Sequence, residues 1–192
     1  MTGTIRRKFG TFRGLVRLSL AYLEFAAGRL APFGPHRRGP VQRLVFVCQG
    51  NICRSAYGAT LATELGLPTA SLGLETTTGA PSPPEAVASG RRQGVELADH
   101  RAIDWTDFGI QPGDLFLVME IRQAHEVRRR IGNRTDVLIS LLGMWCSPAV
   151  PHLHDPFTLS DAYFDTCFIR IREAVENINR SMPLPRGQET TA

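Results

Sequence analysis

Residues 44–55 read Leu44-Val45-Phe46-Val47-Cys48-Gln49-Gly50-Asn51-Ile52-Cys53-Arg54-Ser55, and the rest of the chain is organised around them. Leu44 to Val47 is a short unbroken apolar run rich in β-branched and aromatic side chains, as expected for a strand buried on both faces. Gln49-Gly50-Asn51 ends that run with two residues that tolerate positive φ. From Ser55 onward Ala56, Ala59, Leu61, Ala62 and Leu65 recur at helical spacing, and Gly66 supplies a stop. The stretch therefore predicts a buried strand, a tight turn and a helix N-terminus, with a cysteine where the strand ends.

That arrangement suits anion binding beside a nucleophile. The N–H groups of the loop lack helical partners and can converge on one point, where the helix dipole adds partial positive charge. The same field favours Cys48 as the thiolate, its nucleophilic form. Arg54 can fold back over the cradle with a planar fork suited to phosphate oxygens. Ser55 can donate its hydroxyl to the sulfur as it attacks and later leaves. A thiolate in a phosphate-sized cradle implies phosphoryl transfer to sulfur. Cys-x5-Arg alone carries little weight in a chain this rich in arginine; the strand, the Gly-Asn turn and the Ser-led helix carry the rest.

Outward from this stretch, strands are expected at Ala70-Ser71-Leu72-Gly73, at residues 114–119 and at residues 136–140. Helices are expected from Pro84 to Gly94, around residues 122–130, and over residues 161–179 through Phe164, Phe168, Ile171, Val175 and Ile178. The alternation predicts an α/β fold: a three-layer sandwich on a four-stranded parallel, doubly wound sheet, with ligands at the carboxyl ends of its strands. Cys48 stands at such an end.

Pro151-His152-Leu153-His154-Asp155-Pro156-Phe157 is the second chemical landmark. Proline biases Asp155 towards extended backbone, so its carboxylate can project from a loop. Transfer through a thiol needs a proton for the leaving group and later a base for water, and one carboxylic acid can serve both steps. His152 and His154 have metal-like spacing but no further ligands, and read as loop residues; no metal or other cofactor is expected.

The net charge of +4 is unevenly placed. Residues 1–43 hold nine basic side chains against Glu24 alone, a balance of +8 that leaves −4 on the remainder, so nucleic-acid binding by the main domain has no support. Four cysteines without metal spacing, one of them needed as a thiolate, point to a reducing cytoplasm.

Val47-Cys48-Gln49-Gly50-Asn51-Ile52-Cys53-Arg54-Ser55 resembles the phosphate loop of the low-molecular-weight protein tyrosine phosphatases, and the resemblance extends from residue 43 to about residue 180. It implies a protein-tyrosine phosphatase with Cys48 as nucleophile, Arg54 and the loop residues Gln49, Gly50, Asn51, Ile52, Cys53 and Ser55 as phosphate binders, and Asp155 as acid and base. Asp155-Pro156-Phe157 is similar to the family's Asp-Pro-aromatic element, which would place Phe157 beside the substrate ring. The segment Glu96-Leu97-Ala98-Asp99-His100 is similar to one whose histidine supports the loop asparagine, so His100 would hydrogen-bond Asn51. Cys53 matches a neighbour that can form a reversible disulfide with the catalytic cysteine. The chain departs from the family pattern at Ala56, where proline is frequent, and at Glu120, usually Asp. It departs again at Glu75-Thr76-Thr77-Thr78, which has no aromatic, and at Thr158, where some members have a second one. The resemblance implies a phosphotyrosine-containing protein as partner, with a tyrosine autokinase as one candidate.

This leaves three parts: a basic amphipathic helical extension and Pro/Gly linker over residues 1–40, a phosphatase domain over 41–181, and a frayed tail over 182–192. In the extension, residues 9–30 read as one amphipathic helix whose Phe12, Leu15, Val16, Tyr22, Leu23, Ala26 and Leu30 need a cover. Docking on the catalytic domain or on another chain, attachment to a membrane surface, and a targeting peptide whose signal-type core Glu24 interrupts are all open, the second giving a peripheral enzyme. None is expected to alter the chemistry. Two other functions share the loop: a thiol-linked arsenate reductase, which needs relay cysteines that Cys146 and Cys167 do not form as a close pair, and a phosphate-sensing binding module with vestigial catalysis.

Overall fold

The computed structural model describes residues 2–35, 41–182 and 184. Four strands, β1 (Arg43–Cys48), β2 (Thr69–Gly73), β3 (Asp114–Val118) and β4 (Leu138–Leu141), form one sheet in the order β2-β1-β3-β4, every neighbouring pair parallel. Six helices accompany them: α1 (Thr2–Phe9), α2 (Phe12–Ala26), α3 (Arg54–Glu64), α4 (Pro84–Arg92), α5 (Ile121–Ile131) and α6 (Asp161–Ser181). From β1 the chain crosses to β2 through α3, whereas β3 leads away to β4 through α5. Right-handed crossovers in opposite directions place α3 and α5 on opposite faces, which makes the carboxyl end of β1 the switch point of the sheet.

Alternate side chains of the strands feed two cores. Leu44, Phe46, Leu115 and Leu117 pack with Tyr57, Phe168, Ile171 and Val175 of α3 and α6, with Tyr57 stacked on Phe168 at 4.1 Å between ring centroids. Val45, Val47, Phe116 and Val118 pack with Ala124, Val127 and Ile131 of α5. The continuous apolar runs reflect this two-sided burial. Gly58 lets α3 lie directly on the sheet, since a Cβ there would stand 2.6 Å from Phe46 Cδ1.

The extension departs from the single helix expected over residues 9–30. Gly10 adopts φ +74°, in van der Waals range of Leu159 and Tyr163, and breaks the helix. Thr11 restarts it as an N-cap, its hydroxyl accepting the Gly14 N–H at 2.9 Å. The docked face also differs from expectation. Gly14, Leu18 and Ala21 are buried, whereas Phe12, Val16, Leu20 and Leu23 are exposed, because small residues permit the closer approach. Leu30 and Phe33 then enter the core on the α5 side, and the 3₁₀ turn Ala31–Phe33 takes up Pro32 of the expected linker. Residues 36–40 of that linker, and the expected tail apart from Met182 and the buried Leu184, lie outside the described residues.

Candidate active site

The strand-turn-helix expectation is met: β1 delivers Cys48 to the sheet edge and α3 begins at Arg54. Between them the loop is held from outside through its carbonyls. Leu74 N–H donates to Cys48 O at 3.0 Å, Glu75 N–H to Gln49 O at 2.9 Å and the Thr76 hydroxyl to Gly50 O at 2.8 Å. His100 Nε2 lies 2.7 Å from Asn51 O; a carbonyl only accepts, so Nε2 carries the proton. Burial lowers the pKa of His100, which keeps the ring neutral in this role. With four successive carbonyls engaged, the loop's N–H groups are left to serve the interior. Gly73 permits this closeness, since a Cβ would stand 3.0 Å from Gln49 O.

Asn51 takes φ +51°, which asparagine tolerates better than most residues. Both ends of its side chain are engaged, Oδ1 accepting Ile103 N–H at 2.9 Å and Nδ2 donating to Ser55 Oγ at 2.8 Å. Because Ser55 Oγ accepts there, its own proton is free to point at Cys48 Sγ, 3.0 Å away. Asn51 N–H donates to the same sulfur at 3.2 Å. Cys48 Sγ therefore receives two hydrogen bonds just before the N-terminus of α3.

Arg54 is only 1% exposed. Its Nη1 donates to Glu120 Oε1 at 2.8 Å and to Leu153 O at 2.9 Å, while Nη2 forms an ion pair with Asp155 Oδ2 at 2.6 Å. That last contact lacks hydrogen-bond alignment, so among the described residues the buried Nε and Nη2 have no hydrogen-bond acceptor. These are the donors an oxyanion over the loop would take. Burial opposes the charge on Arg54, but Asp155, Cys48 and Glu120 outweigh it and raise its pKa. Burial likewise opposes the charge on Glu120, yet Arg54 and Arg122 hold its pKa down at about 2.

These features coincide with a known pattern. The family model described as low molecular weight phosphotyrosine protein phosphatase matches residues 43–184. The chain belongs to this family. The phosphatase is 28% identical over 144 residues to the probable low molecular weight protein-tyrosine-phosphatase EpsP of Ralstonia nicotianae, covering 74% of this chain and 92% of that protein. It is 30% identical over 139 residues to the corresponding probable phosphatase AmsI of Erwinia amylovora, covering 71% and 94%. The crystal structure of AmsI superposes with a TM-score of 0.62 at 26% identity, covering 76% of this chain and 96% of that one.

The structure of the phosphatase brings Cys48, Asn51, Arg54, Ser55, His100 and Asp155 into one cluster. Gln49 sits at its rim, its Nε2 donating to Glu75 Oε2 at 3.0 Å. Ile52 packs on the core and Cys53 is buried, so both border the loop through backbone more than side chain. Burial also pushes the Cys53 thiol well up, and the Cys48 charge adds to this. Phe157 is exposed beyond Asp155, whose Oδ1 accepts the Phe157 N–H at 3.2 Å. Sequence reading noted Glu120 and Thr76 only within departures from the family pattern, and missed the main chain at Leu153 and Ile103. A lone acid directly after a buried strand was the one available signal; the others act through position alone.

Proposed function

We propose that this phosphatase hydrolyses phosphotyrosine in proteins with Cys48 as nucleophile, Arg54 as phosphate clamp and Asp155 as acid and base. The observation that carries the assignment is the buried Arg54, whose Nε and Nη2 have no hydrogen-bond acceptor among the described residues, six positions after a cysteine that receives N–H and O–H. The Cys48 sulfur attacks phosphorus as the bond to the phenolic oxygen breaks, and the leaving oxygen takes the proton from Asp155. Asp155, now a carboxylate, removes a proton from water, which attacks phosphorus; the P–S bond breaks, releasing phosphate and the thiolate. Charge developing on the equatorial oxygens meets Arg54 and the loop amides, which supply fixed electrostatic stabilisation. Asp155 rests against Arg54 in the free enzyme, and phosphate binding exchanges that partner for the substrate.

Cys48→Ser should reduce turnover of a phosphotyrosyl peptide to background while vanadate still binds; turnover near the wild-type rate would end the covalent mechanism. Arsenate-dependent oxidation of thiols by the wild-type protein would favour the reductase instead. That reading is disfavoured by Cys146 and Cys167, both buried, with pKa values pushed up to about 12 by burial. Phosphate binding without turnover would favour the sensing module.

The phosphoprotein is proposed to be met at a membrane surface, a tyrosine autokinase being the candidate that the family resemblance implies. No helix among the described residues is long and apolar enough to cross a membrane. Yet Phe12, Val16, Leu20 and Leu23 form one stripe on the outer side of α2, exposed by 70%, 40%, 54% and 67%. Arg6, Arg7 and Lys8 of the preceding helix and Arg13 of α2 add exposed positive charge to the extension. An apolar crest on a cationic extension fits an anionic lipid surface. The protein should sediment with vesicles containing phosphatidylserine, less so at high salt, and Leu23→Asp should release it. No sedimentation would refute lipid as the cover, and a doubled mass in solution would assign the crest to a second copy.

A further inference from the structure

The extension does more than dock: it grips the loop that carries the acid. The family match begins at Arg43, so α1 and α2 lie outside the matched domain. Even so, four residues of the extension, Gly10, Thr11, Gly14 and Tyr22, meet residues 149–163, before and after Asp155. Thr11 Oγ1 lies 3.1 Å from His154 Nε2, and Tyr22 OH donates to Ala149 O at 2.9 Å. Gly14 lies against the His154 ring so closely that a Cβ would stand 2.8 Å from Cδ2. Gly10 meets Leu159 and Tyr163 at 2.7 and 2.8 Å by the same measure, and Tyr163 OH in turn donates to His154 O at 3.2 Å.

His154 is the residue before Asp155, and its ring and carbonyl are both held. We propose that the segment from Gly10 to Tyr22 is a clamp for the general acid, with Thr11 and Tyr22 as positioning residues that act on Asp155 through His154 and Ala149. The core alone fixes Leu153, through Arg54 and the Leu153 N–H to Met119 O bond at 3.0 Å. It also sets the His154 ring beside those of His152 and Tyr163 and bonds Val150 N–H to Gly143 O at 2.7 Å, while the hydrogen-bonding partner of the His154 ring and the bond at Ala149 O come from the extension. Thr11 is well suited, since its hydroxyl accepts from Gly14 N–H and still has a proton and a lone pair for either tautomer of His154. Burial lowers the pKa of His154, so the ring is neutral and needs no counter-charge. The inference departs from the expectation that the extension leaves the chemistry untouched. It rests on the reading of Asp155 as the acid.

A loosened acid has a signature that general destabilisation lacks. It slows substrates whose leaving group needs a proton and spares those whose leaving group does not. The test compares kcat/KM on a phosphotyrosyl peptide with kcat/KM on dinitrophenyl phosphate, a ratio that cancels any unfolded fraction. For Thr11→Ala/Tyr22→Phe the ratio should fall by about tenfold, within the ~10²–10⁴ that a general acid contributes. Thr11→Ser, which keeps cap and hydroxyl, should match wild type. A ratio within twofold of wild type in the double variant would overturn the clamp. Asp155→Asn is the reference arm: if it too leaves the ratio unchanged, the role of Asp155 fails; if it lowers the ratio and the double variant does not, only the clamp fails.

Discussion

Replacing Glu120 by Gln probes the buried pair that orients Arg54. Glu120 is nearly inaccessible, with Arg54 at 2.8 Å, Arg122 at 2.8 Å and Arg17 at 3.5 Å around its carboxylate. The amide keeps one acceptor for Arg54 but removes the charge, leaving Arg54 to Asp155 alone. Glu120's ordinary pKa of 4.5 falls to about 2 in the folded protein, a difference of 2.5. At 1.36 kcal/mol per unit this corresponds to roughly 3 kcal/mol of stability at neutral pH. The low end of the ~3–5 kcal/mol cost of breaking a buried ion pair agrees. Because the folded pKa is depressed, the contribution is fully present above about pH 4.5 and is lost as pH falls through about 2. Urea unfolding of both proteins should therefore show a gap of about 3 kcal/mol at pH 7 that shrinks to about half between pH 3.5 and pH 3. In a chain of this size that gap is about 6–12 °C in Tm. A gap under about 1 kcal/mol at pH 7, or one that does not narrow in acid, would show that Arg54 is held by other means.

Asp155→Asn should cost roughly 10²–10⁴ in kcat on phosphotyrosine and much less on dinitrophenyl phosphate; equal losses, measured in parallel, would assign Asp155 a positional role. His100→Ala should leave Asn51 O without its partner and cost about 1–3 kcal/mol, with a matching loss of vanadate affinity as the loop relaxes; an unchanged melting point and unchanged affinity would count against this support. Gly58→Ala drives a methyl towards Phe46 and should destabilise by about 1–3 kcal/mol with activity per folded molecule preserved; a melting curve at or above wild type would show that Phe46 yields.

The core of the enzyme was legible in residue order because its determinants are local. A short continuous apolar run of β-branched and aromatic residues that stops at a Gly-Asn turn fits a strand buried on both faces, and a turn between strand and helix can bind anions by its backbone alone. Cys48, Asn51, Arg54 and Ser55 lie within eight consecutive residues, so one short stretch specifies their geometry. Strand limits moved by one or two residues: β1 gained Arg43 and Cys48, and β4 runs from Leu138 to Leu141 where residues 136–140 were expected. Hydrogen bonding with a neighbouring strand sets such ends, and side-chain pattern does not.

How distant segments meet is written in the tertiary structure and not in local pattern. That Asp155 reaches the loop and that His100 supports Asn51 across 49 positions was expected only through the family resemblance, whereas the closure of Glu120 over the Arg54 guanidinium came from the structure alone. The extension shows the limit most clearly. Amphipathic periodicity marked α2 as a helix with an apolar face, but that pattern counts hydrophobic area and so pointed to Phe12, Val16 and Leu23. Docking depends on how closely two backbones approach, and there Gly10, Gly14 and Ala21 prevail because they lack bulk. Periodicity could therefore determine that a helix exists; only packing against residues 149–163 decided which side of it faces the enzyme.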